Sequence, residues 1–181
     1  VATRQDEFEA LAMPHTRSLL RVARRLASDP TAAEDLVQET MLLAWRNFHQ
    51  LREGASARPW LFRILMNSFY AHGRKIRSAP STVSLEASLG PAQGERWLKE
   101  LWTPSPSIAA ADAARALETL SEEHRTVLLL GVVEGFTCQE IAEILSVPLG
   151  TVMSRLSRAR RALRLRLEPK PAELKCAKKE A

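Results

Sequence analysis

Apolar residues in this chain recur at steps of three and four, the period of one helix face. Phe8, Leu11, His15, Leu19, Val22 and Leu26 form the first stripe and predict a helix from about Gln5 to Ser28, with His15 a partly buried, hydrogen-bonded member. Asp29 followed by Pro30 reads as an N-cap and a first-turn proline. The helix they open runs to about Phe48 and sets Asp35, Gln38, Glu39 and Arg46 among Leu36, Val37, Thr40, Leu43 and Ala44, so it has polar residues enough for a binding face. His49 to Ala55 is a loop by composition. Ser56 and Pro59 then open a third helix, amphipathic through Leu61, Ile64, Leu65 and Phe69, that reaches about Arg77.

From Ser78 to Ile108 the period gives way to a stretch rich in Ser, Pro and Gly, which reads as a linker between two helical domains. Trp97, Leu98, Leu101 and Trp102 are spaced as a short amphipathic turn within it. Ala109 to Leu120 is Ala-rich and helical; Ser121 caps a further helix carrying Val127, Leu128 and Val132, which Gly135 ends in the left-handed conformation. Thr137 and Glu140 then form a capping box, with Phe136 and Ile141 as its hydrophobic staple. The helix they start has its stripe at Ile141, Ala142 and Leu145 and is broken at Ser146 and Val147, after which Pro148 is placed for a new first turn. Two helices joined this tightly must cross steeply, and small Ala142 permits the approach: a helix-turn-helix. Val152, Leu156, Ala159 and Leu163 point its second helix inward, leaving Ser154, Ser157, Arg158 and Arg161 opposite.

The predicted fold is all-α: a first small helical domain over 1–78, a flexible linker over 79–108, a helix-turn-helix domain over 109–168 and a polar tail over 169–181. An apolar fraction of 45% excludes wholesale disorder, and an aromatic fraction of 6% with few glycines favours helices over a β-sandwich. No apolar run approaches the ~20 residues of a membrane span and no signal-peptide pattern is present, so the expectation is a cytoplasmic protein without membrane insertion of its own. Cys138 and Cys176 lack metal-ligand spacing and read as free thiols, Cys138 as a packing residue.

Charge sharpens the picture through its distribution more than through the net +5. Acids and bases nearly cancel as far as Ala57, whereas Arg58 to Arg77 and Thr151 to Leu167 contain no acid at all. Arginine forks match phosphate oxygens and the guanine edge, and a major groove admits one helix, so both basic helices are candidate nucleic-acid faces. A solvated basic surface is the plainer alternative. For the second helix, tight turn, capping box, buried stripe and acid-free outer face all agree on DNA.

Three segments in this order, AEDLVQETMLLAW (33–45), RPWLFRILMNSFYAHGRKIR (58–77) and LSEEHRTVLLLGVVEGFTCQEIAEILSVPLGTVMSRLSRARRALR (120–164), resemble the extracytoplasmic-function (ECF) sigma factors, the small two-domain members of the bacterial sigma-70 family. The resemblance covers about Gln5 to Arg77 and Ala111 to Leu167. It implies a transcription initiation factor that binds RNA polymerase core, recognises the −10 and −35 elements of specific promoters and helps open the DNA. An anti-sigma factor, a membrane-anchored one included, is the expected regulatory partner.

By position, the resemblance implies that Asp35, Leu36, Gln38 and Glu39 dock on the clamp coiled coil of the largest polymerase subunit. Arg58, Asn67, Arg74, Lys75 and Arg77 would serve the −10 element and the melted strand, where opening asks for a base pocket and for cations along the single-stranded backbone. Trp60 and Phe69 could stack on bases, with the core the commoner place for Trp60. Thr151, Ser154, Arg155, Ser157, Arg158 and Arg161 would read the −35 element, while Met153 replaces a basic residue common in relatives.

Two other classes fit parts of the pattern. A polymerase-independent helix-turn-helix regulator of operator DNA would need neither the DLVQET helix nor the second basic helix; an interaction protein that only titrates an anti-sigma factor would need no promoter. The four histidines and the acids form no paired or ligand-spaced constellation and no Gly-rich phosphate loop is present, so neither enzyme chemistry nor a metal or other cofactor is expected.

Overall fold

The computed structural model describes residues 3–27, 29–51, 56–76 and 115–167, and among these the regular structure is entirely helical. Helices α1 (Arg4–Ala12), α2 (Thr16–Leu26), α3 (Pro30–Arg46) and α4 (Ala57–Ile76) form the first unit. A helical turn at 115–118, then α5 (Glu122–Leu128), α6 (Cys138–Leu145) and α7 (Leu149–Leu167) form the second. The linker with Trp97 and Trp102, the polar tail, Arg77 and Cys176 lie outside the described residues.

The single helix expected from Gln5 to Ser28 is two helices. Pro14 has no N–H for the carbonyl four residues back, so the chain tightens into a 3-10 turn at Met13–His15 and restarts at Thr16. Leu11 and Met13 at this break are 43% and 57% exposed, which removes Leu11 from the expected stripe. α1 has a capping box of its own, Thr3 with Asp6, and is pinned to the end of α3 by Phe8, whose ring meets Trp45 and Phe48 edge-on at 5.3 Å each.

α3 starts as the sequence predicts: the Asp29 carboxylate accepts from the Ala32 amide and Pro30 fills the first turn. Leu19, Val22, Leu36, Val37, Leu61 and Leu65 close the core among α2, α3 and α4. In the second unit Ser121 caps α5, and Gly135 takes the left-handed conformation (φ 73°) beyond it. Between them the helix loosens into a π turn at Leu129–Val133, with the Glu134 amide donating to the Leu129 carbonyl and the Phe136 amide to the Leu130 carbonyl.

The two units are not separate bodies: one continuous apolar core runs through both. α4 packs on α6 and α2 on α5. Phe62 of α4 and Phe136, which precedes α6, are both buried and meet edge-on, centroids 5.0 Å apart. The apolar faces that the two units would otherwise expose therefore cover one another.

Candidate nucleic-acid interface

The helix-turn-helix forms for the local reasons its residues state. Thr137 Oγ1 accepts from the Glu140 amide at 3.2 Å while Glu140 Oε2 accepts from the Thr137 amide at 2.8 Å, so the capping box is complete. α6 ends at Ser146, a non-glycine residue with left-handed backbone (φ 54°), and the Pro148 carbonyl receives the amides of Thr151 and Val152 as α7 begins. Val152, Leu156 and Ala159 are buried and Leu163 is half-buried, which fixes α7's rotation.

That rotation puts Ser157, Arg158 and Arg161 in solvent, with Arg164 and Arg166 exposed further along. Thr151, Met153 and Ser154 are half-buried, and the Ser154 hydroxyl donates to the Thr151 carbonyl at 3.0 Å. Arg155 is pulled aside: its Nη2 lies 3.1 Å from Glu123 Oε2 and only 13% of its side chain is exposed. Arg160 is half-buried near the Cys138 thiol; burial lowers the Arg160 pKa and raises that of Cys138, a buried free thiol in its unreactive form. His124 shares this region, and burial with the nearby Arg158 and Arg155 charges lowers its pKa although Glu123 opposes them.

α4 presents its basic stretch differently. Asn67 and Arg63 are exposed, and Arg74 and Lys75 belong to the last turns of the helix. Arg58 instead faces inward, its Nη2 3.1 Å from Glu134 Oε2 and its guanidinium 4.2 Å from the Phe136 ring centroid. Trp60 and Phe69 are half-buried against the core. On α3, Asp35 and Gln38 are exposed and Glu39 is half-buried with an oxygen 3.4 Å from His72 Nε2. Leu36, 4% exposed, belongs to the core beneath them.

Arg21, Glu134 and Tyr70 carry no mark in the sequence pattern. Arg21 grips Glu134 with two hydrogen bonds across the boundary between units, and burial raises the pKa of Tyr70, which packs against the core. Their signal is only a lone acid beside Gly135 and an arginine on an unremarkable helix. Among the described residues, no group of three His, Cys, Asp or Glu could hold a metal ion, and no helix is long and apolar enough to cross a membrane.

This arrangement, a four-helix unit ahead of a helix-turn-helix unit, matches known families over both parts. The model for sigma-70 region 2 matches residues 11–79 and that for sigma-70 region 4 matches residues 111–163. SigL of Mycobacterium tuberculosis, an ECF RNA polymerase sigma factor, is 39% identical over 165 residues, covering 89% of each chain. The chain belongs to the ECF sigma factors of the sigma-70 family. The RNA polymerase sigma-H factor of Pseudomonas aeruginosa is 30% identical over 168 residues, covering 90% of this chain and 86% of that one. Among solved structures, RpoE of Bartonella quintana in complex with the anti-sigma factor NepR superposes with a TM-score of 0.67 at 29% identity, over 90% of this chain and 97% of the other. CnrH in complex with the cytosolic domain of CnrY gives 0.64 at 27% identity, over 91% and 90%.

Proposed function

We propose that this ECF sigma factor is a cytoplasmic, non-enzymatic subunit that joins RNA polymerase core and selects promoters, the second unit reading the −35 element and α4 serving the −10 element and the melted strand. The observation that carries this reading is the solvent face of α7, where Ser157, Arg158 and Arg161 stand on the second helix of a helix-turn-helix without a neighbouring acid on that helix. Arg158 and Arg161 can present bidentate forks to guanine or phosphate, and Ser157 a hydroxyl to either. Arg155, held by Glu123, is a phosphate or base contact only after that exposed carboxylate lets go. Arg74, Lys75 and Arg77 supply cations for the single-stranded backbone, and Asn67 of α4 serves the same strand.

Core polymerase docks on α3. Asp35 and Gln38 stand in solvent with Glu39 alongside, and Leu36 holds that face in place from the core below. Such a polar, acid-bearing face suits a protein partner better than a phosphate chain. An anti-sigma factor is the regulatory partner, a reading supported by the similar chain RpoE, solved with the anti-sigma factor NepR. The two matched sigma regions also cover a first unit that a self-standing operator-binding regulator would not need. The docking face is tested by native-gel titration of core enzyme with wild type and Asp35→Arg: loss of the complex at native helicity is expected, and equal affinity would remove α3 from the interface.

A further inference from the structure

Arg155 differs from the other two arginines assigned to the −35 face: 13% of its side chain is exposed, whereas Arg158 and Arg161 stand in solvent. Helix geometry explains the difference. One turn before Ala159, Arg155 lies roughly 40° around α7 from the buried stripe, on the flank that meets α5. Glu123 sits there in the first turn of α5, a turn fixed by Ser121, whose hydroxyl accepts from the His124 amide at 3.4 Å. Its Oε2 lies 3.1 Å from Arg155 Nη2. Thr126, Val127 and Leu128 bury the other side of α5, so a packed helix rather than a loop carries this carboxylate to α7. His124 marks the same meeting, since burial lowers its pKa while the charges of Glu123, Arg158 and Arg155 all reach it.

The pair does little for the fold, because its carboxylate is 58% exposed and water screens the attraction. Its consequence falls on DNA. A carboxylate offers an arginine fork the same paired oxygens that a phosphate does, and an arginine already so engaged neutralises no phosphate and releases no counterions. Phosphate contacts strengthen binding to every sequence alike, whereas base contacts tell sequences apart. We infer that Glu123 is a built-in phosphate mimic: by holding Arg155 it keeps that cation off the DNA backbone and leaves contact to Ser157, Arg158 and Arg161. The inference rests on the reading of α7 as the −35 helix. It makes Glu123, which touches no DNA, a positioning residue that sets specificity. Nonspecific sites outnumber promoters by many orders of magnitude, so one backbone contact fewer lowers idle binding while discrimination between bases stays.

A double-mutant cycle on the full chain supplies the test, read as affinity for a fluorescent mixed-sequence DNA duplex over a salt series without polymerase. Glu123→Gln drops the charge and keeps the shape, and Arg155→Met keeps the packed stem without the guanidinium; circular dichroism checks that both hold native helicity. Glu123→Gln should bind about fivefold tighter at low salt and steepen the slope of log affinity against log salt by about 0.9, one added phosphate contact. Arg155→Met alone should change affinity less than about twofold at the wild-type slope, and combined with Glu123→Gln it should erase the gain. Weaker binding and a slope shallower by about 0.9 in Arg155→Met alone would put Arg155 on DNA already and overturn the inference. So would no gain from Glu123→Gln, or a gain that survives Arg155→Met and therefore reflects the carboxylate's own repulsion of DNA. Arg158→Ala separates the two readings: if it weakens binding and flattens the slope, a failed cycle counts against Glu123 alone. If it changes neither, the −35 reading of α7 falls and the inference with it.

Discussion

Helix α4 turns the start of its basic stretch inward, where Arg58 meets Glu134, whereas α7 turns Ser157, Arg158 and Arg161 to solvent. Both stretches are free of acids along their own length, so local charge does not separate them. What separates them is what packs opposite. The apolar side of α4 at Phe62 is covered by the second unit, which brings an acid with it; the apolar side of α7 at Val152, Leu156 and Ala159 closes on its own unit and leaves the other face bare. An acid-free helix is therefore a candidate surface, and only the tertiary partner decides whether its arginines are in use.

The contrast can be broken hardest from the inward side. Phe62→Ala removes a fully buried ring that joins the units and should cost ~3–5 kcal/mol of stability, measured by urea unfolding. A loss under 1 kcal/mol would mean the units hardly depend on this contact. On the outward side, Arg158→Ala should leave unfolding unchanged while weakening promoter-specific transcription by ~1–3 kcal/mol, the worth of a base contact. Equal promoter use by the purified variant would take Arg158 out of the −35 contact. Thr137→Ala removes the cap on which α6 and the tilt of α7 depend, and about 1 kcal/mol of stability should go with it; an unshifted melting temperature would show the box to be redundant.

The smallest effect is on pH. His15 lies near Arg58 on the inward side and His124 near Arg158 on the outward side, and burial, with these charges, lowers both pKa values from 6.5. The unfolded chain then binds more protons than the folded one as pH falls through 6.5, so stability is full above that value and declines below it. His15→Gln and His124→Gln should each flatten the decline between pH 7 and pH 5 in thermal melts, and an equally steep decline in both variants would assign it to other groups.

Local chemistry made much of this legible. Asp29 with Pro30, Ser121, the Thr137–Glu140 box, Gly135 and the α7 stripe each act within a few residues of themselves, and the structure places each as its neighbours dictate. The first helix misled because a stripe of correct period runs straight through Pro14, and periodicity does not register a missing N–H. Leu36 belongs to the docking set only through the resemblance; the apolar pattern groups it with Val37, and the structure buries it on the core side of α3 while Asp35 and Gln38 face solvent. The closing of α4 on the second unit was beyond any window of sequence, because Arg58 finds its partner 76 residues away.

The most direct measurement is run-off transcription with purified core polymerase, the full chain and a promoter library. The account predicts transcripts from a restricted set of promoters that appear only when the chain is added and that Arg158→Ala depletes. Binding of the chain to duplex DNA with no chain-dependent transcript from any promoter would contradict it.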